Sequence, residues 1–299
     1  MNTLSYAHVD VFSSSGYGGN SLPVFHDAAG LTSEAMLLIT RELRHFEAIF
    51  ITPGPTQNTV RARVFDHSRE LPFAGHPLIG AAVVLQHRAA PGVGATWTFE
   101  LADRTCPVRV RHDGTVYSAV MDQGRPSFIH ECPRRTEIAQ AFGLQLEDLH
   151  PRLPPEVVST GLKYLVIPVV QDRIARARID RDISSLLEEV GAEFGVLFDP
   201  VALEIRHWNN DGIIEDVATG SAAGVVGAYA RKHTIEKTSS RFTLAQGRFT
   251  GRPSRMEVDV HGSPSDIDRV DVGGPVVVLG DGRLNMLPLS LGHAATVAG

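Results

Sequence analysis

Residues 70–85 read ELPFAGHPLIGAAVVL, a short acidic turn that ends in glycine and leads into apolar residues with no polar face. Pro77 suits the first turn of a helix, where a missing backbone N–H leaves no helical hydrogen bond unmade. A helix that is apolar on every side has to be buried on every side. The stretch therefore predicts a buried helix that opens at Gly75-His76-Pro77.

The same arrangement occurs again in the second half of the chain. Residues 215–230 read EDVATGSAAGVVGAYA, with Gly220 in the place of Gly75. The two glycines lie about half a chain apart, which is too long a period for a solenoid repeat. The repetition favours two homologous lobes, each with strands around one central helix. A chance similarity between two helices rich in small residues is the alternative.

The segments around these helices are typical of strands. Alternating runs rich in β-formers occur at 6–12, 48–52 and 59–65, and 31–46 has the pattern of an amphipathic helix that Thr32 or Ser33 could cap. These strands fit two lobes, each wrapped around one of the two central helices, and the chance alternative stays open.

Composition excludes several classes of protein. The 299 residues are 43% hydrophobic and 21% charged, with a formal net charge of −6, and basic residues form no large cluster that would bind nucleic acid. We expect no contact with a membrane, because no apolar stretch reaches the roughly 18 residues that span a bilayer. The N-terminus lacks a signal-peptide pattern and two cysteines are too few for a disulfide framework, so we expect a cytoplasmic protein.

Two helix N-termini rich in glycine and small polar residues could together bind a carboxylate and stabilise an anion, because the positive ends of helix dipoles attract negative charge. His76, Asp216 and Ser221 lie at these starts. The simpler alternatives are that the glycines only form turns, that His76 only makes a hydrogen bond at the helix start, and that Asp216 and Thr219 are ordinary caps. No HExxH, GxGxxG or phosphate-binding loop motif occurs, so we expect neither a metal nor a nucleotide.

Further short motifs accompany these two stretches in a fixed order. They are Asp10-Val11-Phe12 followed by Gly19-Asn20, then 70–77, 158–165, 215–223, Gln246-Gly247 and 251–254. In order and spacing they resemble the motifs of the phenazine-biosynthesis isomerase family, which belongs to the diaminopimelate epimerase superfamily. The resemblance covers nearly the whole chain.

This resemblance implies a cofactor-independent isomerase that moves a proton, and with it a double bond, on a small carboxylate. Glu47 would be the acid/base, with Asp216 and His76 as further catalytic candidates. The implied substrate-binding residues are Asn20, Phe46, Gly75, His76, Gly220 and Ser221. The implied fold is α+β, with two pseudo-symmetric lobes that are each a mostly antiparallel β-sheet or barrel wrapped around a buried helix. The resemblance also implies a homodimer and an active site in a cleft between an N-terminal lobe, 1–127 plus 281–299, and a C-terminal lobe, 128–280.

Several positions distinguish this chain from its relatives. Epimerases and racemases of the superfamily carry a cysteine before each of the two glycines, where this chain has Ala74 and Thr219. Phe46 and Ser21 also depart from the isomerase pattern, which has a small polar residue and a proline there. We therefore expect the reaction type to persist with a different substrate, of the dihydro-hydroxyanthranilate or alkylproline-precursor type. An epimerase or racemase, and a non-catalytic protein that binds small carboxylates, remain the alternatives.

Overall fold

A computed structural model of the chain describes residues 3–235 and 238–288. The chain divides into two compact units. Residues 3–17, 21–119 and 275–288 belong to the first unit, and 18–20, 120–235 and 238–274 to the second. Both main divisions fall inside strands, Tyr117–Asp122 and Asp266–Leu284. The sequence-based division into lobes at 127/128 and 280/281 stays a prediction. The expected place of 289–299 in the N-terminal lobe lies outside the described residues.

The first unit is a sheet with two helices. Its strands are β1 (Leu4–Val11), β2 (Asn20–Phe25), β3 (Glu47–Pro53), β4 (Thr59–Asp66), β5 (Glu70–Leu71), β6 (Ala95–Glu100), β7 (Thr105–His112) and β8 (Tyr117–Asp122), and its helices are α1 (Ser33–Leu43) and α2 (Gly75–Ala89). The strand order is β1-β2-β3-β4-β6-β7-β8, with β5 on β4. The end of the last strand of the chain pairs with β1, from Leu4↔Leu284 to Val11↔Val276.

The second unit also has eight described strands, but it has three α-helices. Its strands are β9 (Ser127–Glu131), β10 (Glu156–Ser159), β11 (Lys163–Pro168), β12 (Phe194–Asp199), β13 (Glu204–His207), β14 (Arg241–Gln246), β15 (Ser254–Ser263) and β16 (Asp266–Leu284), and its helices are α3 (Arg135–Ala141), α4 (Ser184–Glu189) and α5 (Gly220–Lys232). The strands follow the order β16-β15-β14-β13-β12-β11-β10-β9.

The two units share one pattern of connections. In the first, β2 and β3 are parallel and joined through α1, and β4 and β6 are parallel and joined through α2. In the second, β11 and β12 are parallel and joined through α4, and β13 and β14 are parallel and joined through α5. Parallel neighbours require such a crossover, while antiparallel neighbours do not. Antiparallel pairing joins β1 to β16, β3 to β4, β4 to β5 and β6 to β7 in the first unit. In the second it joins β9 to β10, β10 to β11, β12 to β13, β14 to β15 and β15 to β16. The predicted α+β fold with two pseudo-symmetric halves is confirmed.

Helices α2 and α5 are the buried helices that the sequence predicts. Helix α2 packs on β1, β3, β6 and β7, and α5 packs on β10, β11 and β15. Small residues allow these strands to approach closely. A Cβ atom on Gly80 would lie 2.7 Å from the Leu22 side chain, and one on Gly227 would lie 2.4 Å from Val258.

The connection between α1 and β3 places Glu47 on a strand. Thr32 caps α1 by accepting a hydrogen bond from the Ala35 N–H, at 3.2 Å. The helix ends at Leu43, earlier than the predicted 31–46, because Arg44 adopts the left-handed conformation with φ of 58°. Glu47 is therefore the first residue of β3, opposite Asp66 of β4.

Candidate active site

In the first unit, Glu47 and His76 come together although they are far apart in sequence. The Glu47 Oε2 atom lies 3.4 Å from His76 Nδ1, and their side chains are 20% and 8% exposed. This separation is long for a hydrogen bond, yet catalytic contacts are often long before substrate binds. The pair is a carboxylate and an imidazole in a largely buried setting, the residue types that most often transfer protons in enzymes.

His76 belongs to the first turn of α2. The helix begins at Gly75, after Ala74 in an extended conformation with φ of −152° and ψ of 129°. Alanine has no side-chain acceptor, so it cannot cap the first-turn N–H groups as Ser, Thr or Asp would. No acidic residue lies in the first turn. Negative charge that develops next to Glu47 and His76 is therefore close to the positive end of α2.

In the second unit, the start of α5 is organised around Asp216. Its Oδ2 atom accepts a hydrogen bond from Thr219 Oγ1 at 2.5 Å. Thr219 is the N-cap residue, but its side chain makes no capping hydrogen bond. Gln246 instead accepts from the Thr219 N–H at 2.9 Å and donates to Thr219 Oγ1 at 3.0 Å. The alternative of ordinary caps is therefore wrong for the side chain of Thr219, which orients Asp216.

Asn20 completes the fixed environment of Asp216. Its Nδ2 atom donates to Asp216 Oδ1 at 3.1 Å and to the Ala218 carbonyl at 3.2 Å. Asn20 is fully buried. Its Oδ1 atom has no hydrogen-bond partner among the described residues. A buried acceptor of this kind costs free energy unless a donor reaches it.

Gly220 and Ser221 are the first residues of α5, as the sequence predicts. Ser221 Oγ is 2.8 Å from the hydroxyl of Tyr164, which lies on β11. Gln123 donates to the Gly220 carbonyl at 2.9 Å and accepts from Thr160 Oγ1 at 3.1 Å. These contacts tie the start of the helix to polar side chains of the second unit.

His207 adds an imidazole near Asp216. It is buried on β13, and its Nδ1 atom contacts the Gly195 carbonyl at 2.9 Å, so this nitrogen carries the proton and donates. Burial lowers the pKa of His207, and the negative charge of Asp216 opposes that effect only in part. His207 is therefore neutral near pH 7. Its ring packs edge-on against Tyr164 at 5.6 Å.

The structure thus places the predicted residues in two groups. Glu47, His76, Gly75 and the half-buried Phe46 belong to the first unit, and Asn20, Asp216, Gly220 and Ser221 belong to the second. Sequence reasoning missed the roles of Gln246, Tyr164, Gln123, Thr160 and His207. Thr160, Tyr164 and Gln246 do lie within the motifs that carry the family resemblance, so their positions were available as a signal.

The structure offers little support for other kinds of site. Among residues 3–235 and 238–288, no group of three or more His, Cys, Asp or Glu side chains could hold a metal ion. Within the same residues, no helix has the length and apolar character needed to cross a membrane. An open groove of about 900 Å³ on the second unit contains none of the predicted site residues. It is lined by Pro133, Arg134, Arg135, Thr136, Glu137, Leu146, Glu147, Leu149, Pro151 and Val170.

Comparison with known proteins agrees with this fold. Residues 9–282 match the model of a family described as phenazine biosynthesis-like protein. The chain is 29% identical over 290 residues to trans-2,3-dihydro-3-hydroxyanthranilate isomerase from Pseudomonas aeruginosa, covering 93% of this chain and 98% of that protein.

Two solved structures are similar over nearly their full length. A predicted epimerase from Pseudomonas aeruginosa superposes with a TM-score of 0.88 at 42% identity, covering 95% of this chain and 99% of the other. A phenazine biosynthesis protein from Bacillus anthracis superposes with a TM-score of 0.83 at 25% identity, covering 96% and 100%.

Proposed function

Because the chain is an isomerase that belongs to the phenazine biosynthesis-like protein family, we propose that it moves a proton on a small unsaturated cyclic amino acid or a related carboxylate, with Glu47 as acid/base. The observation that carries the proposal is the approach of Glu47 Oε2 to His76 Nδ1 at 3.4 Å, at the uncapped start of a buried helix. No cofactor takes part in the proposed reaction.

The proposed reaction has two proton transfers. The Glu47 carboxylate removes a proton from one carbon of the substrate, which breaks the C–H bond and leaves an electron pair delocalised over the adjacent double bond and carboxylate. The protonated Glu47 then returns the proton to another carbon of the same conjugated system, so the double bond shifts and Glu47 is a carboxylate again. His76 and the positive end of α2 stabilise the charge that develops between the two steps.

The start of α5 supports the substrate class. Gly220 and Ser221 supply backbone N–H groups of a helix N-terminus, which favour a carboxylate. The Asp216 carboxylate, held by Asn20 and Thr219, favours a positively charged amino group. An amino acid carries both charges. The expectation that both helix starts contact one substrate, in a cleft between two lobes of a homodimer subunit, stays a prediction, as does the cytoplasmic location.

Two substrate types are the first candidates. One is the dihydro-hydroxyanthranilate type, since the Pseudomonas aeruginosa relative is named for it. The other is the alkylproline-precursor type, which we favour because Phe46 and Ser21 replace residues typical of the phenazine isomerases. Full turnover of trans-2,3-dihydro-3-hydroxyanthranilate would overturn that preference.

The test is proton exchange in deuterated water, followed by NMR, on a panel of both substrate types. We expect the wild-type protein and the control Glu42→Gln, an exposed residue of α1, to introduce deuterium at carbon, and Glu47→Gln to introduce none. Binding without exchange in any compound would instead indicate a carboxylate-binding protein. Exchange with inversion at a single carbon would indicate an epimerase, even though Ala74 and Thr219 provide no thiol.

A further inference from the structure

A chain of three polar side chains lies in the first unit and takes no part in the proposed chemistry. His8 of β1 places Nε2 at 2.7 Å from the hydroxyl oxygen of Ser21 on β2. The same hydroxyl oxygen lies 2.9 Å from Nδ1 of His45, in the link between α1 and β3. The two imidazole rings are also in direct contact, edge to face, with centroids 4.9 Å apart. All three residues are half-buried.

The chemistry of a hydroxyl group fixes how protons are arranged in this chain. Ser21 has one hydrogen to donate, so it can donate to only one of the two ring nitrogens. Its oxygen has two lone pairs, so it can accept from one ring nitrogen or from both. At least one of the two nitrogens that face Ser21 therefore carries a proton and donates to the Ser21 oxygen.

The position of His45 connects these three hydrogen-bonded side chains to Glu47. Helix α1 ends at Leu43, and the Arg44 N–H still donates to the Thr40 carbonyl at 3.3 Å. Glu47 already belongs to β3 and pairs with Asp66. His45 lies in the short link between these two anchored points. Its side chain ties that link to β2, the strand that runs parallel to β3.

We propose that Ser21, His8 and His45 are positioning residues that hold the link before Glu47, and so aim its carboxylate in the proton shift. The inference rests on the proposed function of Glu47. An error of about 1 Å in the position of a reacting group can cost on the order of a hundredfold in rate. A tie two residues from the acid/base, made to a neighbouring strand, limits such errors without touching the substrate.

The kinetic test compares three variants in the deuterium-exchange assay. Ser21→Ala removes both hydrogen bonds, and we expect kcat to fall roughly tenfold to a hundredfold while KM changes little, since misplacement acts on the chemical step. Ser21→Thr keeps the hydroxyl group and should restore most of kcat. Ser5→Ala, an exposed serine of β1, is the matched control. Ser21→Ala with wild-type kcat would overturn the inference while leaving the proposed function intact.

A second measurement does not depend on substrate. Ring-¹⁵N NMR of histidine-labelled protein, assigned with His8→Asn and His45→Asn, should show that at least one of the two nitrogens that face Ser21 carries a proton. Backbone amides of residues 45–47 should exchange with solvent at least tenfold faster in Ser21→Ala than in the wild type. Two unprotonated nitrogens facing Ser21, or unchanged amide exchange, would overturn the tie itself. Absence of any Glu47-dependent reaction in the wild type would overturn the proposed function, and the inference with it.

Discussion

Removal of the guanidinium group of Arg206 should destabilise the second unit strongly. Arg206 lies on β13, and its side chain is only 8% exposed. It donates two hydrogen bonds to the Glu215 carboxylate, from Nε at 2.8 Å and from Nη2 at 2.7 Å. Trp208 and Phe249 also contact it, with ring centroids 4.3 Å and 4.1 Å from its central carbon. Glu215 directly precedes Asp216, so this contact also fixes the segment that carries the second-unit part of the site.

The expected loss follows from what Arg206→Met leaves behind. Glu215 is 14% exposed and would lose its ion-pair partner. The carbonyls of Ile174 and Ala177 would each lose the Nη1 donor, at 2.8 Å and 3.1 Å. Breaking a buried ion pair by removing one partner typically costs about 3–5 kcal/mol. We therefore expect the free energy of unfolding of this unit to fall by about 4 kcal/mol.

Urea unfolding followed by tryptophan fluorescence measures this loss. The chain has two tryptophans, and a Trp97→Phe background leaves Trp208 as the reporter of the second unit. With a slope of about 2 kcal/mol per molar urea, a loss of 4 kcal/mol lowers the midpoint by about 2 M. Arg206→Met combined with Glu215→Gln removes both charges and should recover about half of the loss.

A matched control separates burial from charge. Arg178 contacts Asp180 at 2.8 Å, but both side chains are about two-thirds exposed. Arg178→Met should therefore cost less than about 1 kcal/mol, as exposed ion pairs usually do. A loss below about 1 kcal/mol in Arg206→Met, equal to that of the control, would refute the reasoning that this buried pair holds the segment before Asp216.

Two further predictions concern burial elsewhere in the chain. The pKa of His207 lies below the ordinary value of 6.5, so its contribution to stability is complete above pH 6.5 and is lost as pH falls towards the folded-state pKa. His207→Phe should therefore flatten the pH dependence of unfolding free energy below pH 6.5 by up to about 1.4 kcal/mol per pH unit, while the exposed His130→Phe should not. Gly80→Ala should lower unfolding free energy by about 1–3 kcal/mol in thermal or urea unfolding, because its Cβ would lie 2.7 Å from Leu22. A Cβ atom on Gly280 would meet open space, so Gly280→Ala should lower the unfolding free energy far less. Equal losses of unfolding free energy in the two variants would contradict the packing argument.

The central helices could be predicted from the sequence because almost all of their residues are apolar or small. An apolar run without a polar face can only be buried, and Gly75 and Gly220 are indeed the first residues of α2 and α5. The repeat of this pattern also indicated two halves, and the repeated crossovers of the fold agree with it. Local pattern sufficed because burial on all sides leaves little choice of structure.

Other elements could not be predicted because tertiary pairing overrides local preference. Strand β16 runs through Asp-Gly and Gly-Gly-Pro sequences, which are typical of turns, yet it pairs with β15 and β1 along most of its length. Strand β2 contains Pro23, which normally argues against a strand. In both cases neighbouring strands supply the hydrogen bonds that decide the conformation.

The site was only partly predictable for a similar reason. The proposed role of Glu47 rests on the family resemblance, since a glutamate after a helix is ordinarily a solvated surface residue. Its contact with His76 depends on the packing of β3 against α2, so no local sequence pattern predicts it. The contacts of Ser21 with His8 and His45 likewise join β1, β2 and a connecting segment, so only the folded structure brings them together.

The central claim is that Glu47 carries the proton from one carbon of the substrate to another. The most direct test uses the panel compound that reacts, deuterated at the carbon that loses the proton. The reaction is run in ordinary water and quenched at set times, and the product is analysed by mass spectrometry. We expect the wild type to convert the compound with a primary isotope effect on proton removal, and Glu47→Gln to yield no product above background. Product formation by Glu47→Gln at the wild-type rate would contradict the claim.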